Sequence, residues 1–202
     1  MSITSATGEQ DFFARTATVV GQLEGVRQIA NRITLAAANA KAVAARAGSR
    51  AAGFLPITDF IDEMGRETRQ LVARVNQDAQ RMVRDVLAEK RLADSLARMQ
   101  RGITRLETRS AHLDSVAREL VADHARARET TARQLAGLGE LLQTINDHAR
   151  AARMMSTRAR VEATIAGDYQ ASLESVADTV DEAAERIREV VMKCRALLRD
   201  IN

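Results

Sequence analysis

The sequence predicts an all-α protein, a long antiparallel four-helix bundle of coiled-coil type made of two tandem helical hairpins. Three observations carry this. Pro56 is the only proline in 202 residues, so nearly the whole chain is free to be helical. Aromatic residues make up 2% of the chain, with four Phe, one Tyr and no Trp, so any core is thin and built from Ala, Leu, Val, Ile and Met. Apolar residues also recur in alternating steps of three and four, the period of helices packed along a common seam.

The first helix shows this period plainly. From Phe12 the seam runs through positions 16, 19, 23, 26, 30, 33, 37, 40, 44 and 47, and it tapers from Val and Leu to Ala. A seam of alanines lets backbones approach closely, so the bundle is expected to be narrowest there. The stretch LAAANAKAVAARAG, residues 35–48, predicts a helix that stops at Ala47 with Gly48 as its cap. Two glycines and the proline mark 48–56 as a turn.

Phe54, Ile57, Ile61, Met64, Leu71 and Val75 resume the helical spacing, which thins over 78–90 and returns at Leu92, Leu96, Met99, Ile103 and Leu106. Gly102 and the Thr104/Glu107 pair have the form of a glycine stop followed by a capping box. They place a turn within 102–111. The heptad phase runs through that region unbroken, so one continuous helix over 57–165 is the competing arrangement. It would put the two hairpin turns at opposite ends and require a second chain. The stop signals and the near-equal lengths on either side of residue 111 favour the turn.

The third helix is seamed by Leu135, Leu138, Leu142, Ile145, Ala149 and Ala152 and ends before Gly167. The fourth spans about 170–198, with Leu173, Val176, Val180, Ile187 and Val191 inside. The chain is read as one helical-bundle domain, with hairpin one at about 10–101 and hairpin two at about 112–202. Shifting the sequence by 119 residues superimposes the hairpins without a gap. Ala40 meets Ala159, Ala44 meets Ala163, Gly48 meets Gly167 and Asp59 meets Asp178.

Composition also narrows function. Thirty basic and 27 acidic side chains are interspersed, for a net charge of +3. Such mixing marks solvated helix faces rather than a nucleic-acid interface. Lys occurs only at 41, 90 and 193, so arginine supplies almost all the positive charge. No apolar run approaches the ~20 residues of a membrane span, and the N-terminus has no basic-then-apolar leader pattern. The single cysteine, Cys194, can form no internal disulfide, and a cytoplasmic location is the simplest expectation.

His112, His124 and His148 stand 12 and 24 residues apart with no Cys or second His within a helical turn, which argues against a metal site. There is no phosphate-binding glycine loop, no His-Glu-x-x-His helix and no paired nucleophile and base, so neither an enzyme nor a cofactor is expected. Gly21 and Gly25 on the first helix lie near the level of Gly137 and Gly139 on the third. Close helix contacts are the reading for these glycines, with a softened level of the bundle as the alternative.

The stretch IANRITLAAANAKAVAARAGSRAAGFLPITDFIDEM, residues 29–64, resembles the hairpin tip of the cytoplasmic signalling domain of methyl-accepting chemotaxis proteins. The resemblance rests on Ile29, Ala30, Leu35, Asn39, Ala44, Ala45, Arg46, Ala47, Gly48, Gly53 and Phe54. A looser copy runs over 159–180 and keeps Val161, Glu162, Ala163, Ala166, Gly167, Val176, Ala177, Asp178 and Val180. Receptors of this family form a dimer of hairpins whose tip binds a coupling adaptor and a histidine kinase. Two hairpins in one chain look like that dimer fused, a monomeric pseudo-dimer, with a homodimer as the alternative.

The resemblance implies partner contact at the tips. Leu35, Asn39 and Arg46 form a stripe off the seam, with Ala38 beside it in place of a family leucine. Met154, Arg158 and Glu162 mark the second tip, Met154 because a methionine adapts to varied surfaces. The family's Phe is Asn31 here and its Glu is Val43. In the second copy its Arg is Ile165 and its Asn is Arg158. The bland reading of Arg46 is a cation near a helix C-terminus, where the macrodipole favours it. The implied partners are a chemotaxis adaptor and a histidine kinase or chemoreceptor tips. A scaffolding coiled coil with an unrelated partner is the rival reading, and an acidic polymer held on arginine-rich faces is a weaker third.

Overall fold

The computed structural model describes the backbone of residues 3–106 and 111–200 and the side chains of 11–102 and 115–200. Four helices account for nearly all of it: α1 (Ile3–Ala47), α2 (Phe54–Leu106), α3 (Ala111–Ala163) and α4 (Gln170–Arg199). The described residues include no β-strand. The fold is all-α, and its helices pack as a four-helix bundle.

Glycine stops α1 as expected. Gly48 has φ +63°, a left-handed conformation that an L side chain adopts only with strain, and a 3-10 turn follows over Gly48–Ala51. The second hairpin repeats the construction. Gly167 has φ +60° and opens a 3-10 turn, Gly167–Tyr169. The first turn is shorter than the sequence suggests, because α2 already begins at Phe54 and includes Pro56. The first four N–H groups of a helix have no intrahelical acceptor, so a proline there costs no hydrogen bond. Gly102 does not stop α2, which runs on to Leu106. Residues 107–110, where the turn and the Glu107 half of the capping box are expected, lie outside the described residues.

Residues 3–76 and 139–200 form one compact unit. Its helices are joined laterally in four antiparallel pairs. Lys41 Nζ donates to Asp59 Oδ1 (2.6 Å) and Arg69 Nη1 to Thr34 Oγ1 (2.7 Å) between α1 and α2. Arg160 Nε donates to Asp178 Oδ1 (2.9 Å) between α3 and α4. His148 Nε2 lies 3.4 Å from Glu67 between α2 and α3, and Arg15 Nη1 lies 3.1 Å from Asp200 between α1 and α4. Each helix thus has two neighbours, and α1 and α3 stand on diagonal corners. The Lys41–Asp59 and Arg160–Asp178 pairs are 119 residues apart at both ends, so the internal repeat extends to its side chains.

The core of this unit is the predicted seam. Val19, Leu23, Val26, Ala30, Ile33, Ala37, Ala40 and Ala44 of α1 are buried, as are Leu142, Ile145, Ala149, Ala152, Ala159 and Ala163 of α3. On α2 the buried line runs Phe54, Ile57, Ile61, Thr68, Val72 and Val75, with Leu71 only half-buried. Gly65 makes a close approach to α1: a Cβ there would stand 2.5 Å from Thr34 Oγ1 and 3.2 Å from the Ala30 carbonyl.

The other glycines behave differently. A Cβ at Gly21, Gly25, Gly137 or Gly139 would meet nothing within 4 Å, so these glycines do not serve close helix packing. Gly25 instead opens onto a groove of about 770 Å³ between α1 and α4, lined also by Arg32, Glu182, Arg186 and Glu189.

Residues 77–106 and 111–138 form a second compact unit, an antiparallel pair of helical segments. Gln134 Nε2 donates to Asp85 Oδ2 (2.6 Å), and Glu89 receives Thr131 Oγ1 at 3.4 Å. Its core is slight. Ala79, Met82, Leu135 and Leu138 are buried, while Leu87, Val116 and Val121 are exposed. Glu89 stands where the α2 seam period would place an apolar residue and is met by His124 and Arg128, each at 3.8 Å.

Candidate functional site

The two hairpin turns lie together at one end of the first unit. Glu162 of α3 packs over Gly53 of the first turn, where any side chain would collide with its carboxylate. Arg50 of the first turn reaches across to Gly167, its Nη1 3.1 Å from where a Cβ would stand. A continuous helix over 57–165, with the turns at opposite ends, is thereby overturned. The two turns make one composite surface at the bundle end.

Alanine lines the core at this end. Ala36, Ala37, Ala40, Ala44 and Ala51 from the first hairpin and Ala159, Ala163 and Ala166 from the second are buried. These buried positions of α1 and α3 carry only methyl groups, while the larger Leu35, Met154 and Val161 of the same helices are exposed. Phe54 and Leu173 close the core beneath the turns.

Every tip residue singled out from sequence is off the seam. Leu35, Ala38, Asn39 and Arg46 of α1 are exposed, as are Met154 and Arg158 of α3, and Glu162 is half-buried against Gly53. The structure does not bring the two sets together, since α1 and α3 hold diagonal corners and each stripe faces its own side. Arg46 Nε donates to the Ala42 carbonyl (3.3 Å), so this cation caps the last turn of its own helix. Met155 is half-buried, the packing member of the Met154–Met155 pair.

Two residues at this end escape the sequence reading. Val161 follows Met154 at i+7 on α3, Ile165 lies in the turn just past the helix, and both are exposed. Their signal was available: both are large apolar side chains at positions the heptad assigns to solvent.

Electrostatics hold the α3/α4 side of this end. Asp181 accepts from Arg153 Nε (3.1 Å) and Ser156 Oγ (3.2 Å), and Arg160 Nη2 lies 3.5 Å away. Partial burial pushes the Asp181 carboxyl up, but the Arg153 hydrogen bond and charge, Ser156 and Arg160 outweigh it and hold it below the usual carboxylate range. Arg153 also pairs with Glu185. The bond to Asp178 raises the Arg160 guanidinium further, so it stays charged.

Away from the tip, Cys194 is buried between α4 and α1, and burial pushes its thiol up to about 11. Such a thiol carries little thiolate near neutrality and is a poor nucleophile. His148 leaves Nδ1 buried without a hydrogen-bond partner. Among the described residues no three His, Cys, Asp or Glu side chains stand close enough together to hold a metal ion, and no helix is long and apolar enough to cross a membrane. Against known proteins, the chain matches no family model, no curated protein and no solved structure.

Proposed function

We propose that this chain is a non-enzymatic cytoplasmic signalling module of chemoreceptor type, a pair of receptor-like hairpins fused into one polypeptide. It docks a chemotaxis coupling adaptor, a histidine kinase or a receptor tip at the end that carries Gly48 and Gly167. The supporting observation is the shared construction of the two turns, side by side at one bundle end above a buried alanine layer. An end built this way presents off-seam side chains that packing does not require, among them Leu35, Asn39, Met154 and Arg158.

Titration of the purified chain against a purified coupling adaptor, read by calorimetry, tests the proposal. A complex of roughly micromolar Kd, about −8 kcal/mol, is the expected result. No heat at any ratio, with the kinase and an isolated receptor tip silent too, would leave a scaffolding coiled coil as the better account.

A further inference from the structure

The two halves of the bundle end are related by the repeat, yet their outward faces have diverged. Positions 154, 158 and 161 of α3 share one face, at steps of four and three, and Ile165 follows in the turn just past the helix end. Three of the four are large and apolar, with Met154 74%, Val161 66% and Ile165 65% exposed. The equivalents on α1 are Leu35, Asn39, Ala42 and Arg46, of which only Leu35 is large and apolar. Exposed apolar side chains scattered singly need no explanation, but two on one helix face with a third in the turn that follows do.

The flanking charges say what covers the face. Arg150 and Arg158 are exposed on either side of the apolar line, and neither makes an ion pair among the described residues. On the adjacent, α4-facing side of the same helix, Arg153 and Arg160 are both paired, to Asp181, Glu185 and Asp178. A second copy of this chain is a poor occupant. Its own α3 face would bring arginine to arginine, and its α1 face carries Arg32 and Arg46. We infer that the Met154–Val161 face of α3, together with Ile165 of the turn that follows it, is the single docking face of this end and takes a protein surface whose apolar patch is rimmed by carboxylates. One partner molecule therefore binds per chain. This rests on the proposed signalling role in that the coupling adaptor is the partner used to test it.

The experiment titrates that adaptor against the full chain and four variants, each checked by circular dichroism for unchanged helicity. Val161→Glu and Ile165→Glu are expected to weaken binding by roughly thirtyfold or more, with a parent stoichiometry of one to one. Arg46→Glu and Leu35→Ser, on the equivalent α1 face, are expected to change it by less than about threefold. Added salt is expected to weaken the parent complex, because the arginine rim attracts its partner electrostatically. Loss through the α1 variants instead, or equally through both faces, overturns the single α3 face and leaves the signalling role standing. An adaptor that does not bind the parent overturns both. Sedimentation of the chain alone is expected to show a monomer at the titration concentrations; self-association abolished by Val161→Glu would make the occupant a second copy and overturn the carboxylate-rimmed partner.

Discussion

At the scale of the residue, glycine and one carboxylate have the clearest consequences. Gly65 is tight because its missing side chain lets α2 settle against the Ala30 carbonyl and Thr34, which also accepts from Arg69. Gly65→Ala should cost about 1–3 kcal/mol of unfolding free energy, measured by urea titration, since the carbonyl cannot move without bending α1. The sequence offered no sign of this. Gly65 follows Met64 in a pattern where the eye goes to the large residues, and only the pairing of α1 with α2 creates the contact. Asp181 gives a pH signature. Its folded pKa lies below the unfolded value, so the stabilisation it brings is complete above the unfolded pKa and is lost as pH falls through the folded one. Asp181→Asn should therefore destabilise by about 1–2 kcal/mol near neutrality. The deficit should shrink below about pH 4 and vanish in stronger acid. Paired melts of parent and variant across that range would expose a constant deficit, which would mean that the carboxylate's charge is not what matters.

At the scale of the element, the seam of α1 was legible almost residue by residue, because a step of three and four leaves little freedom once one buried position is known. The end of α1 at Ala47 was legible for the same local reason, a glycine able to turn left-handed. On α2 the pattern misleads. Leu71 looks like the core residue, yet regular steps put Thr68 and Val72 in the core and leave Leu71 half-buried. Hydrophobicity and helical phase disagree there, and phase wins. The glycine stop at Gly102 failed because one glycine in a helix costs only about 1 kcal/mol, which neighbouring turns readily offset. The alanine layer can be tested directly. Ala44 is 1% exposed and Ala42 lies on the solvent side. Ala44→Leu should overpack the layer and lower stability by about 1–3 kcal/mol, while Ala42→Leu should shift thermal melts little. The reverse ranking would mean that the helix is rotated from the seam assigned here.

At the scale of the whole molecule, the repeat of 119 residues was legible in the sequence, and the structure gives it physical content. Both turns open on a left-handed glycine, and the Lys41–Asp59 pair recurs as Arg160–Asp178. The candidate site was only half legible. Residue type placed Leu35, Asn39, Arg46 and Met154 on the outside, but which outward side is apolar depends on Val161 and Ile165, large apolar residues at solvent positions that a comparison with Ala42 and Arg46 of the first hairpin passes over. Whether the tips share one end could not be read from periodicity, because a turn and a continuous helix preserve the same phase; the Glu162–Gly53 and Arg50–Gly167 contacts decide it. The central claim is that one chain brings both hairpin tips to one bundle end. Spin labels at Ser49 and Ser172, both exposed, test it most directly by pulsed dipolar spectroscopy of labelled chains diluted in excess unlabelled protein. Helices pack 8–10 Å apart, so labels on neighbouring turns should give a narrow intramolecular separation of roughly 20–40 Å that survives dilution. A short distance that disappears on dilution, or no short distance at all, would contradict the fused pair of hairpins.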